Sequence, residues 1–484
     1  MTRHRVFMVI RFLHRRIDQL INSIFGAGFR QCYILFCFDV KRKLFPEYIP
    51  ANTVFPSRVK KNNLNVPEIP EWVLAEMKVL GTHVDPALYP NELFLATCQF
   101  YSYPVLPKPG KVYAQLIQQC TDDYYTHCFA IPWLKRGGAD LVSLKHIEFA
   151  SKQPNSKVLV LLTEPGESPW LTRIQKDVDV LLVSQYESEL TYDEMVIVIS
   201  RLLIQLRVDT LHIINSRHVW EAINRYGLAI RQKTRIFASL YCDDYDRNGL
   251  PVGYARQYLV HCYPHLTKVF SDNSAFPALL MQTYGFNSKL FSIIKSPVSV
   301  GTLPKRNKTW SNKVLWAGRL DRQKRPDLLL RVARSMPDME FHVYGDSVLN
   351  TKTGIIEDLN KLKNVHMHGG FDGVETLPFS DFPVFLYTSQ WDGTPTMVIA
   401  AALSAIPIVA SCVGGVGDII NNETGYPVYN IDEVSDYVKE IRSVFENSGE
   451  AQSRANSARE LIEKEYTQQK FDSILLNTSG YGKV

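Results

Sequence analysis

The stretch Pro383–Gly425 reads PVFLYTSQWDGTPTMVIAAALSAIPIVASCVGGVGDIINNETG. It opens on a continuous apolar run, Val384–Tyr387, that has the length and composition of a buried strand. A polar turn, Thr388–Pro395, follows. Then come an Ala-rich helical segment from Thr396 to Ala405, a second short strand at Ile408–Ala410 and the glycine turn Gly414–Gly415. Strand, turn, helix, strand is one βαβ unit. Its turn aims consecutive backbone N–H groups and a helix N-terminus at one point, where an anion such as a phosphate is favoured. A βαβ unit without any ligand carries the same pattern, so the stretch alone leaves both readings open.

The same alternation extends in both directions. Towards the N-terminus, Lys313–Ala317, Glu340–Tyr344 and Val365–His368 read as strands, with a helix at Pro326–Ser335 opened by a proline. Towards the C-terminus, Ile431–Phe445 and Ala451–Lys464 read as helices. A second series precedes them, with strands at His127–Trp133, Lys157–Thr163, Val178–Val183, Thr210–Ile214, Arg235–Tyr241, Lys268–Ser271 and Leu290–Ile294, and helical segments between. Continuous apolar strands alternating with helices form parallel sheets covered on both faces. The expected fold is therefore α/β, with two doubly wound Rossmann-like domains facing a cleft and an N-terminal extension. The expected bounds are 1–120 for a basic extension, 121–298 for the first domain, 299–310 for a linker, 311–465 for the second domain and 466–484 for a tail. Ligands of such sheets bind at the carboxyl ends of the strands.

Composition is consistent with this. The chain has 484 residues, too many for one ordinary core, and its 45% hydrophobic and 21% charged content is globular. Residues 1–62 hold twelve Lys/Arg against Asp18, Asp39 and Glu47, a balance of +9, so the rest of a chain of net +5 carries −4. A basic N-terminus suits an anionic partner such as a membrane surface. Residues 3–25 place Ile10, Leu13, Ile17, Leu20, Ile21 and Ile24 at helical spacing among arginines. Such a helix lies in a membrane interface or packs on the protein's own body. There is no run of apolar residues long enough to span a bilayer. The eight cysteines form no CxxC pair or zinc spacing and read as reduced residues of a cytoplasmic protein. No nucleic-acid pattern accompanies the basic segment.

After the strand Lys313–Ala317, Gly318-Arg319-Leu320 and then Lys324 set a guanidinium fork and an ammonium close to one turn. That pair suits a diphosphate, although Arg322 and Arg325 make a solvated basic loop an equally ordinary reading. Together, Gly318-Arg-Leu-x4-Lys324, Asp392-Gly-Thr-Pro-Thr-Met-Val-Ile-Ala400, Ile406-Pro-Ile-Val-Ala-Ser411 with Gly414-Gly415 and Asp418, Thr424-Gly425, and Gly137-Gly138-Ala139 resemble the motifs of family 4 glycosyltransferases of the GT-B architecture. The resemblance covers residues 126 to 470.

It implies a retaining, metal-independent, hexosyltransferase-like enzyme that uses a nucleotide sugar as substrate and no cofactor. The acceptor would be a glycan or lipid-linked molecule, as in cell-surface polysaccharide synthesis. By the same resemblance Arg319 and Lys324 hold the donor diphosphate, and Asp392 accepts hydrogen bonds from the donor sugar. Gly137, Gly138, Gly318, Gly393, Thr394, Pro395, Thr396 and Met397 line the donor. The implied setting is the cytoplasm, peripheral on the inner face of the membrane through the N-terminal helix.

Three positions depart from the family pattern. Ala400 stands where the second acid of E-x7-E binds the nucleotide ribose, and Ala405 replaces a customary glycine. On Leu211–Ser216, His212 lies one position before the family's acceptor-side histidine, and a lone histidine on a strand is more often structural. Asp243 is the other acceptor-side candidate. Asp244-Tyr-Asp246 spells D-x-D, a metal signature of a different architecture, but the second Rossmann-like domain argues against that fold. The competing reading is a catalytically silent GT-B protein that binds a glycan or partner enzyme.

Overall fold

The computed structural model describes residues 71–92, 95, 107–135, 137–298, 310–346 and 353–482. The expected N-terminal helix at 3–25 and nearly all of the linker lie outside them. The chain divides into two compact units, Met1–Pro107 and Lys108–Val484. In the first unit, α1 (Glu71–His83) is followed by a turn of 3-10 helix at Pro86–Leu88. The Asp85 side chain caps that turn by accepting from Ala87 N at 2.9 Å. No helix among the described residues is long and apolar enough to cross a membrane.

The second unit begins earlier than the sequence suggests. Helix α2 (Pro107–Gln119) is not part of an extension reaching residue 120. It buries Val112 and Leu116 against Tyr125 and Leu206 of the first domain's core. That domain then runs β1 (Tyr124–Ile131), α3 (Gly138–Ser151), β2 (Val158–Leu162), β3 (Asp179–Leu182), α4 (Tyr192–Gln205), β4 (Arg207–Ile214), α5 (Arg217–Ile230) and β5 (Arg235–Ser239). A small hairpin of β6 (Asp244–Tyr245) and β7 (Pro251–Val252) follows, then a helical stretch at 255–265, β8 (Leu266–Ser271), α6 (Ala275–Tyr284) and β9 (Phe291–Ile293). Local signals set the helix starts. Thr191 and Glu194 form a capping box on α4, and Ser216 caps α5 through Val219 N.

The sheet has seven strands in the order β3-β2-β1-β4-β5-β8-β9, all parallel. Every residue of β2, VLVLL, is buried, as a strand covered on both faces requires. The second domain consists of β10 (Lys313–Ala317), α7 (Pro326–Ser335), β11 (Glu340–Tyr344), α8 (Thr353–Asn360), β12 (Val365–Gly369), β13 (Val384–Tyr387), α9 (Thr396–Leu403), β14 (Ile408–Ser411), β15 (Tyr426–Val428), α10 (Val434–Glu446) and α11 (Ser448–Glu465). Its six parallel strands run β12-β11-β10-β13-β14-β15. Both sheets thus follow the doubly wound order, with the strand sequence reversing beside β1 in one and beside β10 in the other.

The last helix, α12 (Gln468–Asn477), corrects the expected tail. Phe471, Leu475 and Tyr481 are fully buried in the core of the first domain beside Phe129, Ile131 and Phe237. Each such side chain contributes about 1.5–3 kcal/mol on burial. The chain therefore crosses back after the second domain and closes on the first.

Candidate active site between the two sheets

Both reversal points put glycine loops at the carboxyl ends of their strands. The loop after β1 carries Gly137 and Gly138, and Gly137 is the N-cap residue of α3. The loop after β10 carries Gly318 to Lys324. The two domains approach here: a Cβ on Gly138 would lie 3.4 Å from Thr396 Cγ2, at the first residue of α9. Two helix N-termini, one from each domain, therefore converge on one cleft. Their dipoles favour negative charge there.

The β10 loop is stitched to the turn after β13. Gln390 N donates to Gln323 O at 2.8 Å, Gln323 Nε2 to Trp391 O at 2.9 Å, and Thr388 Oγ1 to Lys324 O at 2.7 Å. The Gly414–Gly415 turn supports the same segment from behind. Gly414 has φ +49, and a Cβ there would stand 1.9 Å from Asp392 O, so a side chain at 414 would push that turn out of place. Gly415 N donates to Gly393 O at 2.9 Å.

Lys324 forms an ion pair with Asp392, and the Tyr387 hydroxyl donates to the same carboxylate oxygen. Burial, and then the Asp392 charge, hold the Tyr387 phenol well above its ordinary pKa, so it remains a donor. The other Asp392 oxygen accepts from Gly393 N at 3.0 Å. Asp392 is thus committed to Lys324 and Tyr387, a more specific arrangement than the free sugar acceptor expected from sequence.

Arg319 is about half exposed, with 54% of its side-chain surface open, and is held by Asp321 at 3.2 Å and Gln323 at 2.6 Å. Arg325 is turned away from the cleft into ion pairs with Asp327 and Asp432. Arg322 stacks over Trp391 and reaches the Asp246 carbonyl. Of the four loop cations, Lys324 is the one paired with Asp392.

The expected row of N–H donors from Gly393 to Met397 is shorter in the structure. Pro395 has no N–H. Gly393 donates to Asp392, and Thr394 N donates to Asp272 Oδ2 at 3.0 Å. The Thr394 hydroxyl also donates to Asp272 O at 2.8 Å. Thr396 and Met397 are the first two residues of α9, whose N–H groups have no intrahelical acceptor.

Asp272 follows β8 and lies 122 residues from Thr394, beyond the reach of any local pattern. Burial raises its pKa to about 6 against the lowering hydrogen bonds from Thr394 and Asn273. Next to it, Asp418 accepts from Ser274 N at 2.8 Å and from the Ser274 hydroxyl, a second tie between the domains.

His212 is not an acceptor-side group. It is fully buried on β4, with Nδ1 at 2.7 Å from the Tyr481 hydroxyl and Nε2 at 2.8 Å from Ser239 Oγ. His146 Nδ1 meets the same hydroxyl at 2.9 Å, and His127 Nε2 meets Tyr481 O at 2.8 Å. The three histidines anchor the C-terminal tail. Burial pushes all three below the ordinary histidine value, His146 to about 3.

Asp243 is buried and forked by Arg256 at 2.6 to 3.0 Å, which neutralises it. Asp246 caps its own turn through Asn248 N at 2.8 Å and Leu250 N at 2.9 Å, so the D-x-D spacing belongs to the β6–β7 hairpin. A cavity of about 530 Å³ lies between α3 and α9, and its walls include Lys145, Glu148, Arg173, Glu375, Thr396 and Ala400.

Residues 304–461 match the family model described as glycosyl transferases group 1. The O-antigen biosynthesis glycosyltransferase WbnH of Escherichia coli is 30% identical over 166 residues, which are 34% of this chain and 48% of that protein. A poly(ribitol-phosphate) alpha-N-acetylglucosaminyltransferase of Staphylococcus aureus (strain COL) is 31% identical over 151 residues, 30% of each. The matched region thus spans about half or less of these curated relatives. The crystal structure of Anabaena Alr3699/HepE in complex with UDP and glucose is similar with a TM-score of 0.58, covering 73% of this chain and 99% of that chain at 15% identity. The fold is the two-domain GT-B architecture, and the C-terminal domain carries the group 1 glycosyl transferase match.

Proposed function

We propose that this protein is a retaining glycosyltransferase that takes a sugar from a nucleotide-sugar donor and passes it to a glycan or lipid-linked acceptor in cell-surface polysaccharide synthesis. The observation that carries the reading is Lys324, held by Asp392 and Tyr387 in the turn that leads into α9, whose first residue, Thr396, meets Gly138 of the loop after β1. A donor diphosphate placed there meets an ammonium and two helix N-termini. The donor's C1–O bond to the diphosphate breaks, its electron pair stays on the phosphate oxygen, and the acceptor oxygen forms the new C1–O bond. The acceptor's proton leaves with the phosphate side. Negative charge grows on the diphosphate as the bond breaks, so cations placed in advance lower the barrier.

Arg319 has the reach of a second phosphate ligand once it leaves Asp321. Lys324 is the principal electrostatic group, and Asp392 with Tyr387 positions it. The reading needs no metal ion, because these cations do the metal's work. The relatives, an O-antigen enzyme and a poly(ribitol-phosphate) enzyme, support a polysaccharide acceptor. The UDP in the HepE complex supports a uridine diphosphate donor. We place the protein in the cytoplasm, peripheral to the membrane through its basic N-terminus.

A catalytically silent glycan-binding or enzyme-binding role is the second reading. It is favoured by Ala400 in the cavity wall and by Asp272 on the Thr394 N–H. Calorimetry with nucleoside diphosphates separates the two. Binding that weakens strongly in Lys324→Ala supports the transferase, and no binding at millimolar ligand supports the silent role.

A further inference from the structure

The second domain's sheet holds a cluster of metal-ligating side chains away from the cleft. Strand β12 is the sheet's edge, and His366 on it pairs in register with His342 on β11. Glu340, His342 and Tyr344 share one face of β11, because alternate residues of a strand point the same way. Glu340, His342 and His366 each bring a ligand atom to within 4.8 Å of the others'. The His342 and His366 rings are 4.8 Å apart.

The two nitrogens of His342 are in different surroundings. Nδ1 lies 2.9 Å from His368 Nε2, a hydrogen bond. Nε2 is buried with no hydrogen-bond partner, and the nearest acidic oxygen, on Glu340, stands 3.7 Å away. A buried ring nitrogen without a partner is unfavourable unless something occupies it. If Nδ1–H donates to His368, Nε2 presents its lone pair towards Glu340 and His366. This is the arrangement in which a metal-bound histidine passes its second N–H to an outer partner. The His342 ring is fixed further by Phe382, with centroids 5.0 Å apart, and the His368 ring stacks on Tyr344 at 4.4 Å.

We propose that Glu340, His342 and His366 form a binding site for a borderline divalent transition metal, with zinc as the representative ion and His368 orienting His342. Ligand atoms of a tetrahedral zinc site lie about 3.4 Å apart, given bonds near 2.0–2.1 Å. The 3.7 Å separation of Glu340 and His342 is close to that, and the exposed His366 closes the rest by a rotamer change. Two imidazoles and one carboxylate favour zinc, nickel or copper over magnesium or calcium, which prefer all-oxygen shells. Three protein ligands leave a fourth position to water. None of these residues belongs to the donor site, so the proposal does not depend on the proposed activity.

The test uses the untagged full chain, stripped with chelator and dialysed against zinc chloride at pH 7.5. One equivalent of zinc per chain is expected. His366→Gln, on the exposed edge, and Glu340→Gln should each weaken binding about 100-fold or more, given that outer-partner losses alone cost 10–100-fold. Cobalt substitution should give the visible absorption of a four-coordinate ion, absent in His342→Ala. The urea midpoint of His366→Gln shows that the variant is folded. No stoichiometric zinc, uptake unchanged in His366→Gln, or equal affinity for magnesium would each overturn the assignment.

Discussion

Asp392 uses one carboxylate oxygen, Oδ2, to hold both the Lys324 ammonium and the Tyr387 hydroxyl. The pair is one-sixth exposed, with 15% and 18% of the two side chains open, so solvent screens it only partly. Removing one partner of a buried pair strands the other and costs about 3–5 kcal/mol. At this exposure the lower end of that range applies. Asp392→Asn should therefore lower the urea unfolding free energy by about 3 kcal/mol. Turnover should fall by two orders of magnitude or more in Lys324→Ala and by less in Asp392→Asn, since the asparagine leaves the ammonium in place. Equal loss in both variants would assign Asp392 a direct contact with the reacting sugar.

Asp272 gives a pH dependence with an unusual sign for a carboxylate. Its folded pKa, raised to about 6, lies above the unfolded value near 3.9. Its contribution to stability is therefore full below pH 4 and is lost as pH rises to 6, on the order of 2 kcal/mol. Asp272→Asn should flatten the stability profile between pH 4 and 6 and stabilise the protein at pH 7. Urea titrations at pH 4.5 and 7 measure this, and an unchanged profile in the variant would contradict it.

The histidine anchor has the opposite sign. Burial depresses His127, His146 and His212, so the stability they supply is full above the unfolded value near 6.5 and is lost as pH falls below it. Tyr481→Phe removes the hydroxyl that His146 and His212 share. It should cost about 1–3 kcal/mol and raise the pH at which acid unfolding begins. NMR titration of the folded protein should show all three rings protonating below the ordinary histidine range. A ring titrating near 6.5 would contradict the buried cluster.

Ala400 lines the cavity where the family resemblance places a ribose-binding acid. Ala400→Glu should tighten nucleoside diphosphate binding about 10-fold, the value of one charge-assisted hydrogen bond. Unchanged affinity would place the ribose elsewhere.

The second domain was largely legible from sequence because its central strands, β10, β13 and β14, are buried on both faces and read as apolar runs. Strands β10, β11 and β13 and helix α7 have the bounds that the residues suggest. Gly137–Gly138 and Gly318–Lys324 were picked out by their resemblance to family motifs, and the structure puts them in the loops that follow β1 and β10. What sequence missed is carried by distant pairs. Asp272 reaches Thr394 across 122 residues, and Tyr481 reaches His212 across 269. No periodicity encodes such contacts. Helix α2 and the C-terminal tail were misassigned for the same reason, since their partners lie in the first domain's core. His212 looked like a site residue because strand alternation gives the direction of a side chain but not what fills the space beyond it.

In the proposed reaction Lys324 binds a donor diphosphate in the cleft. The most direct test is calorimetric titration of the full chain with a panel of nucleotide sugars, UDP-sugars first, repeated with Lys324→Ala. Saturable binding of at least one donor is expected, weakened by at least 100-fold in the variant while its unfolding midpoint shows a folded protein. Donor binding of equal strength in the two proteins would contradict it.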